Sequence, residues 1–167
     1  MKDFIIGIDP GRNGGIVGLT NGKINVIDKM PQQPESLWGY FVDVLGIPMM
    51  KERNNIYVYI EDVHSMPTDG ARSAFTFGRH LGWWDMLLSH YNLTFSRVLP
   101  RDWQQSYDLQ RRKNETPPES KYQYKKRILE KSKTLVDKDH KEALNLATCD
   151  AYLIALYGYN QLKERKS

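Results

Sequence analysis

The sequence predicts an α/β fold, and three observations carry that reading. The first 29 residues hold three short strand-like runs separated by dense turn signals. A strand–helix–strand pattern occupies residues 56–99, and the remainder has helical spacing and ends in an apolar stretch.

Residues 4–9 are apolar up to Asp9 and run into Pro10-Gly11-Arg12-Asn13-Gly14-Gly15, so they read as a buried strand ending in a turn. Residues 15–20 and 24–29 follow as strands joined by Asn21-Gly22, the dipeptide that suits a type I′ hairpin. The opening is therefore an antiparallel meander. Residues 34–45 have helical spacing, with Leu37, Phe41, Val44 and Leu45 on one face and Gly46 as a stop. Residues 56–61 are β-branched and aromatic and end at Glu61-Asp62. After a polar loop, a helix over about 71–91 carries Phe75, Phe77, Leu81, Trp84, Leu87 and Leu88, and a strand over 94–99 follows. Such a unit makes a parallel, right-handed crossover. Pro100 closes that strand before a short helix at Asp102-Trp103-Gln104. A further helix starts at about Ser120, and a last one is expected over 139–162, with Asp139 and Glu142 as its capping box and its apolar second half buried.

At 167 residues and 19.5 kDa the chain has room for one domain, spanning 1–167. A composition of 40% hydrophobic and 26% charged residues excludes collagen-like, mucin-like and wholly disordered classes. The net charge of +4 permits a polyanionic partner without requiring one, but its distribution is uneven. Residues 111–133 carry nine basic side chains against three acidic, a local +6 within a basic segment at about 108–135. The single Cys149 forms no internal disulfide, which fits a reducing compartment. The N-terminal apolar run is too short for a signal sequence, and no stretch approaches the ~20 apolar residues of a membrane span. A cytoplasmic protein with no membrane partner is expected.

Asp9 and Glu61 each end an apolar strand, and Asp150 sits at the edge of a buried helix. An ionised carboxylate in such surroundings is costly unless it is paired or coordinates a metal. If the two strands are parallel neighbours, Asp9 and Glu61 converge at the sheet edge where open α/β sheets bind ligands. Hard oxygen donors without a His/Cys cluster suit Mg²⁺ or Mn²⁺, and two such ions would serve phosphodiester hydrolysis. Taken singly, Asp9 could start a turn, Glu61 could be a solvated strand end, and Asp150 could pair with a lysine or arginine.

Ile6-Gly7-Ile8-Asp9-Pro10-Gly11, Tyr59-Ile60-Glu61-Asp62-Val63, the helix motif from Ser73-Ala74-Phe75-Thr76-Phe77-Gly78 to Gly82, and Cys149-Asp150-Ala151-Tyr152 onward occur in this order. Together they resemble the RuvC family of Holliday junction resolvases. The resemblance implies an RNase H-like fold, a mixed five-stranded sheet flanked by helices. It also implies a homodimer and Mg²⁺-dependent, symmetric nicking of four-way DNA junctions, with two ions per site and Mn²⁺ able to substitute. It assigns Asp9, Glu61 and Asp150 as catalytic metal ligands. The family's fourth ligand lies three residues before the last; here that position is Ala147, which has no donor, and His140, Glu142 and Asn145 lack the spacing.

DNA contacts are expected from the basic segment, at Arg111, Arg112, Lys113, Lys121, Lys125 and Lys126, with one lysine near the metal site. The alternative is a solvated amphipathic helix. The loop after Glu61 offers His64 and Met66 as junction-opening wedges or as ordinary surface residues, and Arg72 and Arg79 as phosphate contacts. Trp83 and Trp84 lie ~100° apart on a helix and cannot share a face, so one belongs to the core and the other to a dimer contact. Rival readings are a relaxed nuclease acting on flaps or RNA, and a non-catalytic DNA-binding module, which the three carboxylates argue against. An actin-like or sugar-kinase-like ATPase needs two such domains.

Overall fold

A computed structural model describes residues 3–46, 55–62, 70–112 and 117–166. Five strands form one mixed sheet in the order β3-β2-β1-β4-β5: β1 Asp3–Ile8, β2 Gly15–Thr20, β3 Lys23–Lys29, β4 Asn55–Glu61 and β5 Thr94–Val98. The first three make the antiparallel meander. Asn21 (φ 53°) and Gly22 (φ 77°) supply the paired positive angles of a type I′ turn. β4 runs parallel to β1, and β5 parallel to β4. The arrangement is RNase H-like, with helices α1 Pro34–Tyr40, α2 Ala71–His90, α3 Pro100–Ser106, α4 Lys121–Leu135 and α5 Cys149–Lys166 on its faces.

The period of two along each strand sorts the core. Phe4, Ile6 and Ile8 of β1 join Val58 and Ile60 of β4 under Leu37, Trp84, Leu87 and Leu88 of α1 and α2. Ile5 and Tyr59 face the other way, against Trp103 of α3, Ile128 of α4 and the buried run from Ala151 to Ala155 of α5. Asp9 and Glu61 continue this second parity, so both carboxylates are delivered to the face covered by α3, α4 and α5.

Three expectations need correction. The helix over 34–45 is α-helical only to Tyr40; the chain then widens into a π turn, Phe41–Gly46, whose longer repeat turns Val44 outward. The last helix starts at Cys149 rather than 139, after a 3₁₀ turn at Lys138–His140. Asn145 and Thr148 cause the delay: their side-chain oxygens accept from the Ala147 and Asn145 backbone N–H groups at 2.9 and 3.1 Å, an alternative to helical bonding. The cap of the 3₁₀ turn is Asp137, which accepts from the His140 N–H at 3.2 Å, so the box at Asp139 and Glu142 does not form. On α2, where the sequence assigns burial to no individual residue beyond the tryptophan pair, Phe75 is 71% exposed and Trp84 buried, because nine residues of helix set them on opposite faces.

Helix α4 is pinned at its start. Ser120 and Gln123 form a capping box, and Arg127 clasps Glu119 through bonds of 2.9 and 3.0 Å. The Arg127 hydrogen bonds pull the Glu119 carboxyl down to about 2 from 4.5. A depressed folded-state value contributes stability above the unfolded value that is lost as pH falls toward 2. Glu119→Gln is expected to cost about 1 kcal/mol at pH 7 and nothing near pH 2, read from urea midpoints. Equal losses at both pH values would remove the pair from the stability of α4. Among the described residues, no helix is long and apolar enough to cross a membrane.

Candidate active site

Asp9 follows β1 directly. Its backbone N–H bonds Gly15 O at 3.0 Å, and its Oδ1 accepts from the Gly11 N–H at 3.0 Å, so the Gly-rich turn folds around the carboxylate. Gly14 has to be glycine, since a Cβ there would lie 2.1 Å from the Asp9 carbonyl oxygen. Glu61 ends β4 one residue beyond the Ile8–Ile60 pair, which makes it Asp9's neighbour across the parallel ladder. Asp150 stands in the first turn of α5, where the helix N-terminus favours negative charge.

All three carboxylates are buried, with 9%, 7% and 9% exposure for Asp9, Glu61 and Asp150. Burial, followed by repulsion from Asp150, pushes the Asp9 carboxyl up to about 6. Glu61 is raised well above its usual range by burial and then by Asp9 and Asp150. Groups that raise one another in this way lie within each other's field, with too little positive charge nearby to offset burial. Trp103 Nε1–H donates to Glu61 Oε1 at 2.9 Å and fixes that side chain.

Lys125 of α4 supplies positive charge. Its ammonium donates to Asp150 Oδ2 and lies 3.9 Å from Asp9 Oδ2. Burial opposes the charged lysine, but Asp150 and Asp9 outweigh it and raise the ammonium above its usual value. The Cys149 thiol, pushed by burial up to about 12, donates to Asp150 Oδ1 at 3.6 Å.

Among the described residues, no three His, Cys, Asp or Glu side chains already enclose a point where an ion would sit. The donor chemistry nevertheless fits a hard divalent cation: three buried carboxylates, mutually repelling, share one ammonium. Ala147 lines the groove beside Asp9 and offers it no ligand.

The site opens into a groove of about 1140 Å³ whose wall includes Arg12, Lys29 and Arg72. Arg72 lies on that wall, whereas Arg79 does not; its guanidinium lies 5.1 Å over the Trp83 ring. Lys121, Lys126 and Arg112 are exposed. Arg111 is half-buried and donates to Glu119 O at 3.1 Å. His64, Met66 and Lys113 lie outside the described residues. Trp84 is core, as the split of the tandem tryptophans requires, and Trp83 stacks on His80 at 4.8 Å.

Sequence reasoning missed Trp103, Arg12 and Lys29 as site residues, and left open which lysine enters. A signal for Lys125 existed: it stands three and seven residues before the buried Ile128 and Ser132, on the inward stripe of α4. Nothing local pointed from Trp103 to Glu61, 42 residues away.

The same fold occurs in Thermus thermophilus RuvC. The structure of that protein in complex with Holliday junction substrate matches at 18% identity and a TM-score of 0.61, covering 95% of this chain and 96% of that one. A second Thermus thermophilus RuvC structure matches at 17% identity and a TM-score of 0.53, covering 96% of each chain. No protein-family profile and no curated protein sequence matches.

Proposed function

We propose that this chain is a divalent-metal-dependent endonuclease that resolves four-way DNA junctions by paired nicks, working as a homodimer on DNA in the cytoplasm of a bacterial or phage-infected cell. The observation that carries the reading is the set of three buried carboxylates, Asp9, Glu61 and Asp150, with Asp9 lining a groove whose wall includes Arg12, Lys29 and Arg72. Thermus thermophilus RuvC, with the same fold, is described with a Holliday junction substrate, which supports that substrate here.

Mg²⁺ or Mn²⁺ held by these carboxylates would supply Lewis-acid stabilisation of the attacking and leaving oxygens. Asp9, beside both other carboxylates, would hold the ion together with Glu61 and Asp150. With Ala147 at the fourth position the chain offers no donor there, and water would complete the coordination. Trp103 orients Glu61 through the indole N–H. Arg12, Lys29 and Arg72 take the phosphates entering the groove, with Lys121, Lys126 and Arg112 as further backbone contacts of little sequence preference.

The dimer reading rests on the outer face of α2. Phe75, Met86 and the neighbouring Trp38 are 71%, 55% and 41% exposed, and Gly78 and Gly82 have open space where a Cβ would be. An apolar stripe with small residues between bulky ones suits a self-complementary two-fold contact, which would set two sites on one symmetric junction. Met86→Glu is expected to convert the dimer to monomer in light scattering; an unchanged mass would place the interface elsewhere.

The deciding test is cleavage of labelled four-way, three-way, flap and linear DNA with Mg²⁺ or Mn²⁺. Paired symmetric nicks confined to four-way junctions, abolished by EDTA, are expected. Equal cutting of flaps would assign a relaxed nuclease instead. In the same assay Trp103→Phe is expected to lose about 10–100-fold in rate with its circular dichroism unchanged, as a ligand-orienting group does; full activity would leave the indole N–H a purely structural donor.

A further inference from the structure

The ammonium of Lys125 stands where positive charge is wanted by two carboxylates at once, bonded to Asp150 Oδ2 and 3.9 Å from Asp9 Oδ2. The other oxygen of Asp9 already accepts from the Gly11 N–H, and Glu61 Oε1 accepts from Trp103. The oxygens nearest to Lys125 are therefore those that a cation bridging Asp9 and Asp150 would take. An ammonium and a divalent ion cannot share them, because like charges at such spacing repel strongly in a buried site.

Lys125 can leave without disturbing the fold. Its side chain is 28% exposed and lines the groove, while α4 is held independently by the Ser120 cap and by Ser132 Oγ, which donates to Cys149 O at 3.3 Å. A flexible four-carbon stem lets the head swing from the carboxylates toward the basic wall. We propose that Lys125 is an exchangeable counter-ion: a divalent cation enters by displacing its ammonium from Asp9 and Asp150, and the freed ammonium becomes a phosphate contact in the groove. The inference rests on the reading of Asp9 and Asp150 as metal ligands. It couples the two binding events, since the ion that displaces Lys125 supplies the DNA with another cation.

A fixed strut that merely holds the ligands in place predicts the opposite sign for removal of the amine, so the two roles separate cleanly. Calorimetric titration of the full chain with Mn²⁺ alone, without DNA, is the test, on wild type, Lys125→Met, Lys163→Met and Asp150→Asn. Lys125→Met is expected to bind Mn²⁺ about tenfold more tightly than wild type, and Lys163→Met, which loses the same charge at an exposed position near the end of α5, within about twofold. Asp150→Asn should weaken binding. Unchanged or weaker binding in Lys125→Met, with wild type binding normally, overturns the exchange and spares the ligand assignment. No binding in wild type overturns both. Should Lys125→Met fail to fold, wild type decides: on Mn²⁺-free addition of Mg²⁺, the lysine ¹³Cε–¹⁵Nζ resonance of Lys125 should move to the position of a solvated lysine, and a resonance that stays put overturns the proposal.

Discussion

Asp9→Asn is expected to reduce junction nicking about a thousandfold or more while leaving junction binding in EDTA within about twofold, because it removes an oxygen that would hold the ion but no phosphate contact. The same substitution should make the protein more stable in EDTA at pH 7.5. Burial and then Asp150 lift the Asp9 carboxyl to about 6, against 3.8 for an unperturbed one. A folded-state value above the unfolded one means that the folded chain holds its proton longer; above about pH 6 the ionised group costs stability, on the order of 1–3 kcal/mol. Asparagine ends that cost and keeps Oδ1 as acceptor for the Gly11 N–H. Urea melts read the stability and labelled junctions read the nicking. A variant that is both inactive and less stable would make Asp9 a structural turn residue.

That pairing of lost activity with gained stability marks what was legible in the sequence. Asp9 and Glu61 could be brought together from the residues alone because strand alternation and a parallel ladder are local rules repeated at every step, and the register of Ile8 with Ile60 obeys them. The Asn21-Gly22 turn is equally local. Trp103 and Lys125 reach Glu61 and Asp150 across 42 and 25 residues, through helix phases set by packing against the sheet. No spacing rule spans such separations. The late start of α5 was hidden for another reason: Asn145 and Thr148 compete for backbone groups within a segment whose composition is otherwise compatible with helix. Ala147, at the position where the resemblance puts a fourth ligand, lines the groove and contributes no donor.

Gly7→Ala should produce the largest loss of stability of any single methyl addition to the sheet. Gly7 lies on the strand parity of Ile5 and Asp9, beneath α5, and a Cβ there would meet Ala151 O at 2.2 Å and Ala155 N at 2.4 Å. Both are backbone atoms, so no rotamer change relieves the contact; α5 has to lift from β1. The expected cost is about 3 kcal/mol, at the upper end for overpacking, or a fall in Tm of roughly 6–12 °C for a chain of this size. Because Asp150 is in the first turn of α5, beside Ala151, the displacement also draws the third carboxylate away from Asp9, so Mn²⁺ affinity should fall even where the variant remains folded. Gly39→Ala on α1 isolates the cause. Nothing lies within 4 Å of a Cβ at that site, so the same methyl group should stabilise by about 0.5–1 kcal/mol through helix propensity. Opposite signs for the two alanines, with metal binding lost only in Gly7→Ala, are what close packing of α5 on β1 requires; similar small effects from both would mean that α5 can shift freely, and the position of Asp150 would then not depend on that contact.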